Sequence, residues 1–158
     1  MKTAHLFPDN STFASHFLYA LDRFGFAEKP VVFLYFDVLP EPLTPYREKF
    51  DIRVTKNIKK LEETLRQFDK IVFHSLYPHY LHLILRLKDK QIGWVFWGYE
   101  YYNYFETDNY EPVTQSKIPP RSILKKLTAI YRRNQLKRVF KKIDVFYFWD
   151  KHLYEDLK

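Results

Sequence analysis

Hydrophobic residues in this chain gather into short runs, separated by longer stretches in which they recur every third or fourth position. The stronger runs are "VVFLYFDV" (31–38), "KIVFHSL" (70–76), "IGWVFWG" (92–98) and "IDVFYFWD" (143–150), and two weaker ones are "TAHLF" (3–7) and "FDIRVT" (50–55). Each is rich in β-branched and aromatic residues and nearly continuous rather than alternating. Parallel strands covered on both faces have this character.

The stretches between them read as helices. "NSTFASHFLYALDRFGF" sets Phe13, Phe17, Ala20, Leu21 and Phe24 at helical spacing, with Asn10 or Ser11 as N-cap and Gly25 near the end. "KNIKKLEETLRQF" places Ile58, Leu61, Leu65 and Phe68 on one stripe, and "PHYLHLILRLKDK" starts on Pro78 and carries Leu81, Ile84 and Leu85. Strand and helix in alternation predict an α/β class with a mostly parallel sheet, a Rossmann-like domain. A length of 158 residues suits a single domain over 1–158.

Residues 121–142 break the simple pattern. They include Arg121, Lys125, Lys126, Arg132, Arg133, Lys137, Arg138, Lys141 and Lys142, and no acid. Ile123, Leu127 and Ile130 form one stripe, while Leu136, Val139, Phe140 and Ile143 form another. At about 100° per residue the two point in nearly opposite directions. Either the helix breaks near "RRNQ", or its halves pack on different things. Residues 103–120, "NYFETDNYEPVTQSKIPP", lack periodicity and read as a long loop.

Composition narrows the function classes. Hydrophobic residues make up 46% and aromatics 20%, with thirteen Tyr and fifteen Phe against three Gly, so the chain is built to pack. Cysteine is absent, which excludes disulfides, thiolate metal sites and a cysteine nucleophile, and fits a cytosolic face. No run reaches the roughly 18 apolar residues of a membrane span, and the N-terminus has no secretory signal. A net charge of +7 points to an anionic partner: nucleic acid, anionic lipid or a phosphorylated substrate.

Ligands of open α/β sheets sit beyond the carboxyl ends of the strands. That rule selects Asp9, Asn10 and Ser11, then His74, Ser75 and Tyr77, then Gly98, Tyr99, Glu100, Tyr101 and Tyr102, and finally Asp150. Together they would rim one crevice. Glu100 is either a general base, its pKa raised by aromatic neighbours, or a strand-end carboxylate bonded to an amide or an arginine. His74 is a base, a phosphate contact or a satisfied core histidine. Asp9 fits a helix cap better than a catalyst. His79 and His82 stand near His74, but no carboxylate completes the set at ligand spacing, so no metal is expected. Tyrosines lining such a cleft suit a sugar ring. Glycine-rich phosphate loops and the G-x-S-x-G elbow are missing.

Four stretches taken in order, "HLFPDNSTF", "IVFHSLY", "VFWGYEYY" and a basic segment leading into "IDVFYFWDKHLYEDL", resemble the N-terminal half of family 56 glycosyltransferases. These are TDP-N-acetylfucosamine:lipid II N-acetylfucosaminyltransferase-like enzymes of enterobacterial common antigen synthesis. His5, Asp9 and Phe13 match the pattern H-x-x-x-D-x-x-F. His74 and Leu76 match H-G-L, and Trp97, Gly98, Glu100 and Tyr102 match W-G-[GA]-D-[LI]-Y. Ser75 replaces a glycine, Tyr99 a small residue, and Glu100 an aspartate.

The resemblance implies a GT-B enzyme that transfers a sugar with inversion and without a metal. Its second, C-terminal domain would bind the nucleotide sugar. This chain would be the acceptor side, with a lipid-linked or glycan acceptor held near Asp9, Asn10, Ser11, Tyr77, Trp97, Gly98, Tyr99 and Tyr102. Glu100 or His74 would take the acceptor proton, with no cofactor beyond the donor substrate. Lys125, Lys126, Arg132, Arg133, Lys137 and Arg138 would meet an anionic membrane surface, placing the protein peripherally on the cytoplasmic face. With the donor half expected beyond Lys158, this part would be inactive alone. The competing readings are a basic nucleic-acid-binding module, disfavoured because the aromatics lie inside apolar runs and no RNA-binding signature is present, and a flavodoxin-like interaction domain.

Overall fold

A computed structural model of the chain describes residues 1–8, 11–25, 29–97 and 123–147, with the backbone alone described at 123–127 and 129. Six strands form one sheet: β1 (Thr3–Phe7), β2 (Val31–Leu34), β3 (Ile52–Val54), β4 (Lys70–His74), β5 (Gln91–Val95) and β6 (Val145–Tyr147). Their order is β3-β2-β1-β4-β5-β6 and every neighbouring pair is parallel. This is the Rossmann-like doubly wound order, in which the winding reverses between β1 and β4. The strands that end in candidate chemistry, β1, β4, β5 and β6, are consecutive neighbours.

Helix α1 (Ser11–Phe24) and a 3-10 helix (Glu41–Tyr46) cover one face of the sheet. Helices α2 (Ile58–Leu65), α3 (Pro78–Arg86) and α4 (Ile123–Phe140) serve the other. Local chemistry sets the helix ends. The Asn57 side chain accepts from Lys60 N–H at 3.0 Å and caps α2. Pro78 opens α3, and the Lys142 ammonium donates to the carbonyls of Leu85 (3.0 Å) and Leu87 (2.8 Å) at its end. A cation there satisfies orphan carbonyls and suits the negative end of the helix dipole.

The structure corrects several expectations. The strands are shorter than the apolar runs: 31–34 rather than 31–38, 70–74 rather than 70–76, 91–95 rather than 92–98, and 52–54 rather than 50–55. In α1 the buried stripe is Ala14, Leu18 and Leu21, flanked by Phe13 and Phe17, while Phe24 faces solvent at 75% exposure. Small and medium side chains let the helix approach the sheet, and the larger rings fill its margins. The 3-10 helix has no counterpart in the predicted elements. Strand β6 lies at the edge of the sheet, with Phe146 and Tyr147 partly exposed.

Helix α4 is continuous from Ile123 to Phe140, so it does not break near "RRNQ". Leu136 and Val139 are fully buried, and Phe140 and Ile143 pack against the same core. One turn earlier, Ile130 and Tyr131 are exposed along with Arg132 and Arg133. Among the described residues no helix is long and apolar enough to cross a membrane.

Candidate functional site

The switch between β1 and β4 places two histidines on one face of the sheet. Register pairs His5 of β1 with Val72 of β4, so His74, two residues further on, projects on the same side as His5. His5 Nδ1 lies 2.9 Å from His74 Nε2, a hydrogen bond between groups 69 residues apart. His74 is 4% exposed and its ring stacks on Phe7, with centroids 3.8 Å apart. The edge of Phe17 approaches at 5.0 Å and Trp97 lies 6.4 Å away, itself stacked on Phe13 at 4.1 Å. The floor of this cage is fixed from below, where the Phe7 carbonyl accepts from Tyr80 O–H at 2.7 Å and Tyr35 N–H at 3.2 Å.

The apolar cage determines the charge state. Burial lowers the His5 pKa from 6.5 to about 4, with a further push from the Lys70 ammonium. Burial also lowers His74, and the neighbouring His5 adds to the effect. Both rings are therefore neutral near neutral pH, and the hydrogen bond joins an N–H to a lone pair. His74 Nδ1 is buried and has no hydrogen-bond partner among the described residues, and the same is true of Ser75 Oγ. Ser75 adopts φ 77, in the left-handed region that favours glycine. Two stranded polar atoms on consecutive residues, one with a disfavoured backbone, stand where this fold holds its ligands.

No family model matches the chain, and no curated protein matches it. Among solved structures it is similar to prephenate dehydrogenase from A. aeolicus in complex with hydroxyphenyl propionate and NAD+, at 17% identity and a TM-score of 0.41. The match covers 99% of this chain and 63% of that one, so the chain spans less than two thirds of that protein's length. At this distance the likeness carries no argument about chemistry, and the Rossmann-like assignment rests on strand order and register.

Of the residues selected from sequence, the structure brings together His74 and Trp97 within one aromatic cluster. Ser11 opens α1, the element that follows β1, and Tyr77 immediately precedes α3 after β4. Both are half-buried. Asp9, Asn10, Gly98, Tyr99, Glu100, Tyr102 and Asp150 lie outside the described residues. His79 and His82 part from His74: His79 stacks on Tyr35 at 4.0 Å, and His82 meets the Gln135 amide at 3.0 Å. No group of three His, Asp or Glu side chains among the described residues could hold a metal ion. Arg132, Arg133, Lys137 and Arg138 are all exposed on α4, whereas the side chains of Lys125 and Lys126 lie outside the described set.

Sequence reasoning missed one partner. His5 entered only as a match to a motif, with no role. Its signal was the i, i+2 alternation along β1, which puts His5 and Phe7 on the same face. That becomes informative only once β1 and β4 are known to be adjacent.

Proposed function

We propose that this chain is the acceptor-side domain of a GT-B glycosyltransferase in surface polysaccharide synthesis, passing a sugar from a nucleotide donor to a lipid-linked or glycan acceptor. The observation that carries the reading is the neutral His74 at the carboxyl end of β4, caged by Phe7, Phe17 and Trp97, with an Nδ1 that has no hydrogen-bond partner among the described residues. A neutral imidazole with an unused nitrogen is suited to accept a hydroxyl proton, and aromatic walls suit a sugar ring. The left-handed Ser75 adds support, because the resembled family has glycine at that position.

In this reading the acceptor hydroxyl enters among Trp97, Tyr77 and Ser11, and His74 or Glu100 serves as base. The donor nucleotide binds a second domain. The exposed cations of α4 meet an anionic membrane surface, each contributing about 1 kcal/mol, with Ile130 and Tyr131 exposed beside them.

Trp97 provides the test. A polyprenyl-diphosphate-linked saccharide in mixed micelles should shift the chain's tryptophan emission, and Trp97→Phe should remove the response. The same response to empty micelles, or none to the acceptor, would sink the reading. Binding to oligonucleotides of any sequence, falling steeply with salt, would favour the nucleic-acid alternative.

A further inference from the structure

Two neutral imidazoles that share one hydrogen bond must divide the roles of donor and acceptor. His5 Nδ1 and His74 Nε2 are the atoms in contact, at 2.9 Å. Suppose first that His5 donates. The His74 proton then sits on Nδ1, a buried donor with no acceptor among the described residues. Suppose instead that His74 donates. Nδ1 is then a bare lone pair, and both rings carry their proton on Nε2, the tautomer that neutral histidine favours intrinsically. A stranded N–H is the rarer defect of the two. His5 is also half-buried and borders an open cavity beside Lys2, Thr3 and Gln67, so its own N–H is not sealed in an apolar enclosure.

We propose that His5 is the positioning residue for His74: it accepts the His74 Nε2–H and so presents Nδ1 as a lone pair to a ligand hydroxyl. The partner of a histidine's second nitrogen commonly sets the tautomer in this way. Because Nδ1 is enclosed, the hydroxyl meets it inside the ring cage rather than in bulk water.

The chemical use of that lone pair rests on the glycosyl-transfer reading. As the acceptor oxygen bonds to the anomeric carbon of the donor sugar, its proton passes to His74 Nδ1. The bond from that carbon to the nucleoside diphosphate breaks, and the electron pair leaves with the phosphate oxygen. The imidazolium so formed keeps its Nε2–H on the neutral His5, which shares the positive charge. His5 touches neither substrate, and its contribution is the orientation and basicity of the ring that does.

The tautomer can be read directly. Heteronuclear NMR of the imidazole nitrogens in the intact 158-residue chain, near neutral pH, is expected to show His74 protonated on Nε2 and bare on Nδ1, with His5 bare on Nδ1. A protonated Nδ1 on His74 overturns the proposal. In the enzyme assayed with donor and lipid-linked acceptor, His5→Phe should lower kcat about 100-fold with little change in the acceptor KM. His5→Asn keeps an oxygen acceptor for Nε2–H and should recover activity to within about tenfold of wild type. Equal losses in the two variants also overturn the positioning role. An enzyme without glycosyl transfer whose His74 Nδ1 is nevertheless bare would sink the transferase reading and leave the hydrogen-bond assignment standing.

Discussion

On one face of the sheet, α2, α3 and the second half of α4 close over Phe33, Ile71, Phe73, Ile92 and Trp94, all apolar and all buried. On the other face, α1 and the 3-10 helix close over Phe7, Val32 and Leu34, and the same layer takes in His5 and His74. On the first face the buried Tyr80 hydroxyl has a partner, donating its proton to the Phe7 carbonyl. The second face leaves His74 Nδ1 and Ser75 Oγ without partners among the described residues. A buried polar group without a hydrogen bond costs stability. The first face is closed by apolar packing, whereas the second, with its own smaller core, also carries a buried neutral imidazole at some cost in stability.

The largest effect expected belongs to the first face. Trp94 is 1% exposed, with Phe146, Phe140 and Phe96 rings at 4.5, 5.3 and 5.5 Å. Trp94→Ala removes the largest fully buried side chain and leaves a cavity, at a cost of about 3–5 kcal/mol. Urea unfolding measures it. A loss below about 1 kcal/mol would mean that this face is not where stability resides.

The second face should be recognisable by its response to acid. The folded pKa of His5 is lowered from 6.5 to about 4, so between those values the unfolded chain binds more protons than the folded one. Stability from this group is complete above about pH 6.5 and falls as pH drops towards 4. Down to pH 5 the loss from His5 alone is about 2 kcal/mol. His5→Phe should unfold with a shallower pH dependence than wild type over that interval, whereas Trp94→Ala should keep the wild-type slope at lower overall stability. Identical slopes in all three proteins would show that the acid response does not come from the imidazole pair.

The unequal legibility of the two faces in the sequence has physical causes. Continuous apolar runs with helical stripes between them were enough to predict a parallel α/β sheet, because a strand covered on both faces cannot alternate. Leu61, Leu65 and Phe68 fell where periodicity put them. The 3-10 helix escaped because Pro42 and Pro45 interrupt any 3.6-residue pattern, although Leu43 is fully buried in it. The outward turn of Phe24 escaped because stripe arithmetic counts ring size as burial. For the site, the carboxyl-end rule found His74 and the family resemblance pointed to Trp97, but neither carries information on which strands adjoin. The contact between His5 and His74 joins β1 to β4 across 69 positions and exists only because the winding reverses there.

Ser75 gives the smallest effect and the finest test of the comparison. Its φ of 77 costs a residue with a Cβ roughly 1–2 kcal/mol, and its buried Oγ, without a hydrogen-bond partner among the described residues, costs about 1–3 kcal/mol more. Ser75→Gly relieves both, against about 0.5–1 kcal/mol for the greater freedom of glycine in the unfolded chain. At the low end of these figures the variant should be more stable than wild type by about 1 kcal/mol, read as a higher urea midpoint. A lower midpoint would mean that the Cβ and hydroxyl support the cage, and that this face is better packed than its stranded atoms indicate. If the midpoint rises, the Trp97 response to acceptor decides what the hydroxyl is for. An unchanged response makes Ser75 a tolerated residue at a left-handed position, whereas a weakened one places Oγ beside Nδ1 in the proposed acceptor pocket.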